Sequence, residues 1–95
     1  MTDDRKSVRV HIAGHVQGVG FREWVQRKAV ERALDGWVRN CRDGSVEAVF
    51  AGPVSAVDVM VAECHHGPRL ASVAMVTVVE GPAVVNRVFT VGPTS

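Results

Sequence analysis

Between Ser7 and Leu34 the spacing of the apolar residues changes once, and that change limits the possible folds more than any other feature of the chain. Val8, Val10 and Ile12 alternate with Ser7, Arg9 and His11, the period of two expected of a strand with one buried face. From Phe21 the period lengthens: Phe21, Trp24, Val25, Ala29, Ala33 and Leu34 follow three-four spacing with Glu23, Gln26, Arg27 and Glu31 between them. This is an amphipathic helix. A strand that feeds a helix through a short glycine-bearing segment belongs in a layered architecture, where both elements cover the same core.

The rest of the chain continues the pattern. Gly36–Arg42 and Ser45–Ala51 read as two antiparallel strands around Asp43-Gly44, a dipeptide suited to a tight hairpin. After Gly52-Pro53, Ser55 and Asp58 match a capping box variant ahead of Val57, Met60, Val61 and Cys64 at helical spacing. His65-His66-Gly67-Pro68 ends that helix, Leu70–Glu80 has strand character, and Arg87–Val91 forms a short final strand. Valine fills 21 of the 95 positions, which suits pleated, half-buried surfaces. The order βαββαβ, with both helices on one face of an antiparallel sheet, predicts an α+β chain with the ferredoxin-like sandwich topology. No repeat or linker divides it, so residues 1–95 are expected to form one domain with an ordered core of about 7–91 and loose tails.

Charge excludes some functions. Eleven Lys and Arg against ten Asp and Glu leave +1, too little for a chain that works by wrapping nucleic acid or an anionic membrane. The sum hides an asymmetry: residues 1–42 carry nine basic and five acidic side chains, residues 43–95 two and five, which places any anion site in the first half. Cys41 and Cys64 lack the spacing of a metal site and are too few for a disulfide scaffold, so free thiols are expected, with a single bridge as the alternative. No apolar run is long enough to span a membrane and the first residues lack the apolar stretch of a signal peptide, so a cytoplasmic chain is expected.

Chemistry concentrates in Gly14-His15-Val16-Gln17-Gly18-Val19-Gly20-Phe21-Arg22. Glycines between a strand and the first turn of a helix let main-chain N–H groups face an anion, and the helix N-terminus adds unpaired donors. Arg22 would present a bidentate fork to the same anion, at a helix end where a cation is otherwise disfavoured. The competing reading is a turn that changes chain direction beside a surface arginine, and the residues alone leave both open. Neither GxxxxGK[ST] nor GxGxxG is present, so a small anion is indicated rather than a nucleotide.

This stretch resembles the acylphosphatase signature G-x-V-Q-G-V-x-F-R. Gly36-Trp37-Val38-Arg39-Asn40, followed by Asp43-Gly44 and Val46-Glu47, resembles that family's second signature, G-W-V-x-N and its hairpin. Gly52-Pro53, Gly67-Pro68 and Phe89-Thr90-Val91 extend the resemblance over about Val8 to Val91. The family's ferredoxin-like fold agrees with the element order. What the resemblance implies is a hydrolase that splits the carboxyl-phosphate bond of acyl phosphates into carboxylate and inorganic phosphate, with no metal and no cofactor. Arg22 and the N–H groups of His15, Val16, Gln17, Gly18, Val19 and Gly20 would hold the phosphoryl oxygens, and Asn40 would orient the attacking water. An amide is no general base, so the water's proton would pass to the substrate phosphate. The expected partners are an acyl phosphate and its phosphate product, without nucleic acid or membrane, and the expected state is a monomer.

The remaining candidates are weighed against that reading. His15 lies in the loop at a variable position of the family and would at most modulate binding. His65 and His66 beside Cys64 lack the spaced ligand pairs of a zinc site and read as a solvent-facing turn. Cys41 has no identifiable basic partner and reads as packing, as do Trp24, Trp37 and Phe50. One departure concerns the end of the first helix: Arg32-Ala33-Leu34-Asp35 holds no glycine, so Ala33 either stays helical or takes a left-handed angle. Two rival functions remain, a phosphate or carbamoyl-phosphate binding domain without turnover and an RNA-binding module. The second would require a basic sheet with exposed aromatics.

Overall fold

The computed structural model describes residues 4–84 and 87–95. Its elements run β1 (Arg5–His15), α1 (Phe21–Glu31), β2 (Asp35–Asn40), β3 (Val46–Pro53), α2 (Val54–Cys64), β4 (Ser72–Glu80) and β5 (Phe89–Val91). The strands form one sheet in the order β4-β1-β3-β2-β5. Along β4-β1-β3-β2 each strand pairs antiparallel with its neighbour, whereas β5 pairs parallel with β2, Gly36 to Val38 alongside Phe89 to Val91, so the sheet is mixed rather than antiparallel throughout. This is still the ferredoxin-like α+β arrangement, with an added edge strand. Among the described residues, no helix is long and apolar enough to cross a membrane.

The alternation of β1 places Val8, Val10 and Ile12 on the face that both helices cover, joined there by Val38, Val46, Ala48 and Phe50. Helix α1 contributes Phe21, Val25 and Ala29 to that core, and α2 contributes Val57, Met60 and Cys64. Each fully buried large side chain stabilises the fold by roughly 1.5–3 kcal/mol. Trp37 is not part of this core. It stands on the opposite, open face, where the Arg39 guanidinium lies 4.7 Å from its ring centroid and Glu47 accepts from Arg39 at 2.7 and 3.0 Å. Period-two alternation explains the correction: Val38 points into the core, so its neighbour Trp37 points away.

Other boundaries shift for identifiable reasons. Strand β1 begins at Arg5 and continues through a bulge at Ala13/Gly14 to His15, because β3 and β4 flank it along that length. Helix α2 starts at Val54, directly after Pro53, with no side-chain cap, so the expected Ser55/Asp58 capping box does not form. Asp4 O accepts from Val54 N instead, at 3.1 Å. Nor is the C-terminal segment loose: Gly92 N donates to Val38 O and Ser95 N to Asn40 O, at 2.8 and 2.9 Å. The β2–β3 turn is longer than two residues, since Cys41 N donates to Ser45 O and Gly44 N to Cys41 O.

At the end of α1, Ala33 takes a positive φ of 55°, the left-handed alternative. Leu34 N donates to Ala29 O and Ala33 N to Val30 O, the two bonds of a Schellman motif, and Leu34 is buried against the core. Burial of Leu34 and the carbonyl bonds offset the steric cost of an alanine in that conformation, about 1–2 kcal/mol. Replacement of Ala33 by glycine is therefore expected to stabilise the fold by about 0.5–1 kcal/mol and raise the thermal midpoint by a few degrees, measured by circular dichroism; a lower midpoint would contradict this account of the helix end.

Candidate functional site

Strands β1, β2 and β5 run in the same direction, so their C-terminal ends lie together at one end of the sheet. The chain leaves β1 through the glycine loop and enters α1 there, β2 ends at Asn40, and β5 ends at Val91. A cavity of about 230 Å³ opens among them, lined by Val16, Gly18, Gly20, Phe21, Arg22, Glu23, Asn40 and Val91.

The loop is held by its side chains. Val16 is buried in the core and Val19 packs against it. Gln17 turns toward the β2–β3 turn, and its Nε2 donates to Cys41 O at 2.7 Å and to Ser45 O at 2.8 Å. Gly18 and Gly20 have φ of 75° and 78°, left-handed angles that cost glycine little. Gly20 is the N-cap of α1 and supplies no side-chain cap; its carbonyl accepts from Trp24 N at 3.0 Å. Among the described residues, none of the main-chain N–H groups from Val16 to Glu23 donates to a main-chain carbonyl. A run of unpaired donors at a helix N-terminus is a ready anion cradle.

Arg22 stands in the first turn of α1, and its Nη1 donates to Gly92 O at 3.2 Å, just beyond β5. That bond fixes one side of the guanidinium and leaves its other N–H groups for a ligand. Asn40 faces the same cavity from β2, with its main-chain carbonyl taken by Ser95 N. In the adjoining turn, hydrogen bonds from the Ser45 hydroxyl and Ser45 N hold the Asp43 carboxyl below the usual carboxylate range.

Of the residues singled out from the sequence, Arg22, Asn40, Val16, Gly18 and Gly20 meet at the cavity. His15, Gln17 and Val19 do not line it: His15 is exposed at the end of β1 opposite Ser72, and the other two side chains point away. Four contributors were missed: Phe21, read from the sequence only as an apolar residue of α1, Glu23, Val91 and the Gly92 carbonyl. Glu23 had a visible signal in its place beside Arg22 in the first helical turn, whereas Val91 and the Gly92 carbonyl had none, because 70 residues separate Gly92 from Arg22. His65 and His66 are exposed after α2. Both cysteines are free; burial pushes the Cys64 thiol up to about 12.

The acylphosphatase family profile matches residues 8–91. An acylphosphatase of Rhizorhabdus wittichii is 50% identical over 91 residues, covering 96% of this chain and 92% of its own. The solved acylphosphatase of Coxiella burnetii superposes with a TM-score of 0.90 at 35% identity, covering 94% of each chain. That of Bacillus subtilis superposes at 0.85 and 36%, covering 90% of this chain and 97% of its own. The chain belongs to the acylphosphatase family. It is an enzyme that hydrolyses acyl phosphates, taking a small-molecule substrate and releasing inorganic phosphate.

Two predictions concern the architecture of this acylphosphatase. Gln17→Ala removes two hydrogen bonds between the loop and the β2–β3 turn, and it should lower stability by about 1–3 kcal/mol in urea titrations. It should also reduce kcat/KM, since loop and Asn40 lose their common tether; unchanged kinetics would show that the tether does not position the site. For Cys64, the folded state keeps its proton where the unfolded thiol has lost it, so its contribution to stability is complete below about pH 9 and falls away as pH rises toward 12. Iodoacetamide should label the half-buried Cys41 in the native protein and Cys64 only after denaturation, as resolved by peptide mass spectrometry.

Proposed function

We propose that Arg22 and the loop N–H groups between His15 and Gly20, those from Val16 onward foremost, bind the phosphoryl oxygens, and that Asn40 orients the attacking water. The unpaired donor run beside Arg22 and Asn40 carries this reading. Phosphoryl transfer asks the protein mainly to hold charge and place the nucleophile, and an immobilised guanidinium with fixed amide dipoles supplies the first without reorganising. A neutral carboxamide supplies the second.

In the proposed step the water oxygen attacks phosphorus opposite the bridging oxygen, and the P–O bond to the acyl group breaks. The electron pair leaves on the carboxylate and the water's proton is taken up by the phosphate, giving carboxylate and dihydrogen phosphate from a dianionic substrate. The charges balance without a protein base. Nothing in this scheme calls for a metal or cofactor, since guanidinium and amides neutralise the phosphoryl charge. We take the working unit to be a cytoplasmic monomer of one domain; that elements of a single chain complete the cavity supports the monomer.

The test is phosphate release from benzoyl phosphate in EDTA. Arg22→Ala should lose about 10³-fold or more in kcat/KM together with affinity for inorganic phosphate, by analogy with transition-state arginines. Asn40→Ala should lose about 10²–10³-fold while still binding phosphate. Folded wild-type protein that binds phosphate and releases none from benzoyl phosphate would make the chain a binding domain instead.

A further inference from the structure

The cavity is lined by two charged side chains of opposite sign, Arg22 and Glu23. They are consecutive residues in the first turn of α1, so they project about 100° apart around the helix and meet different parts of a bound molecule. Arg22 is held toward the loop by Gly92 O. Glu23 makes no ion pair and no side-chain hydrogen bond among the described residues, in contrast to Asp35, Glu47, Asp58 and Glu63, each of which faces a cation. It is exposed, at the wall of the cavity that Arg22 also lines.

An acid near a helix N-terminus complements the helix dipole, which accounts for a carboxylate in this turn. It does not remove the effect of that charge on whatever enters the cavity. Once the phosphoryl group occupies the loop, the acyl group must extend past the remaining walls, of which Phe21 and Val91 are apolar and Glu23 is anionic.

Resting on the acylphosphatase reading above, we infer that Glu23 is a specificity-determining residue that selects against acyl phosphates whose acyl group carries a negative charge and favours neutral or cationic ones. At an effective dielectric between that of a protein surface and that of water, one charge several ångströms away alters affinity by about three- to tenfold. Because the carboxylate is exposed, salt should weaken the discrimination.

Para-substituted benzoyl phosphates isolate the effect: the unsubstituted compound, the 4-carboxy compound and the 4-trimethylammonio compound. Comparing E23Q with wild type cancels the substituents' effects on the leaving group. E23Q should raise kcat/KM for the carboxy substrate relative to benzoyl phosphate by about three- to tenfold, mainly through KM, and lower it for the trimethylammonio substrate by a similar factor. E23K should move both ratios further, and 0.5 M NaCl should flatten them in wild type. A purely helix-stabilising role predicts a lower thermal midpoint with unchanged ratios, and that result overturns the inference. So does loss of all turnover in E23Q, which would place Glu23 in the chemistry itself. Failure of wild type to hydrolyse benzoyl phosphate would instead overturn the catalytic reading on which the inference stands.

Discussion

A loop that keeps its main-chain donors free for an anion must be held in place by something else, and here its side chains do that work. Val16 and Val19 anchor it in the core, while the Gln17 carboxamide bridges to the carbonyls of Cys41 and Ser45. Those carbonyls belong to the turn that follows Asn40, so one side chain ties the glycine loop to the strand that bears Asn40. Glycine at positions 18 and 20 completes the arrangement, because the chain reverses there with left-handed angles and without Cβ atoms in the cavity.

The two faces of the sheet divide the labour. The helix-covered face carries the apolar side chains that fix the relative positions of β1, β2 and α1. The open face carries Arg9, Arg39 and Glu47 in a small ion-pair group with Trp37 under Arg39. Both arginines stay open to solvent although Glu47 is half-buried, so screening keeps the contribution of these pairs to stability small. Their arginines are engaged with Glu47 and Trp37 and belong to the face away from the helices, so the positive charge at the cavity comes from Arg22 and the N–H groups.

Much of this was legible beforehand, and the misses share a cause. Element types followed from periodicity, and the absence of a glycine marked Ala33 as a residue that would either stay helical or turn left-handed, a choice that its φ of 55° settles. Trp37 was assigned to the core from its residue type, although alternation with Val38 sends it to the other face. The capping box failed because β3 runs straight into α2 and leaves no turn for Ser55 to close. Composition marks both tails as loose, yet Asp4, Gly92 and Ser95 pair through the main chain with Val54, Val38 and Asn40, while residues 1–3 lie outside the described residues. Composition describes side chains and carries no information about which main-chain groups a neighbour will satisfy.

The amino-acid sequence by itself determined what acts within a few residues: the strand-loop-helix passage, the turn glycines, the family signatures, and Arg22 and Asn40 as the pair to examine. Only the tertiary structure decided that Gly92 steadies Arg22, that Gln17 serves the β2–β3 turn, and that Glu23 shares the cavity with Arg22 and Asn40. Conformational preference is local, set by the backbone and its nearest side chains. A partner 24 or 70 residues away is chosen by strand order and register, which periodicity along the chain does not encode.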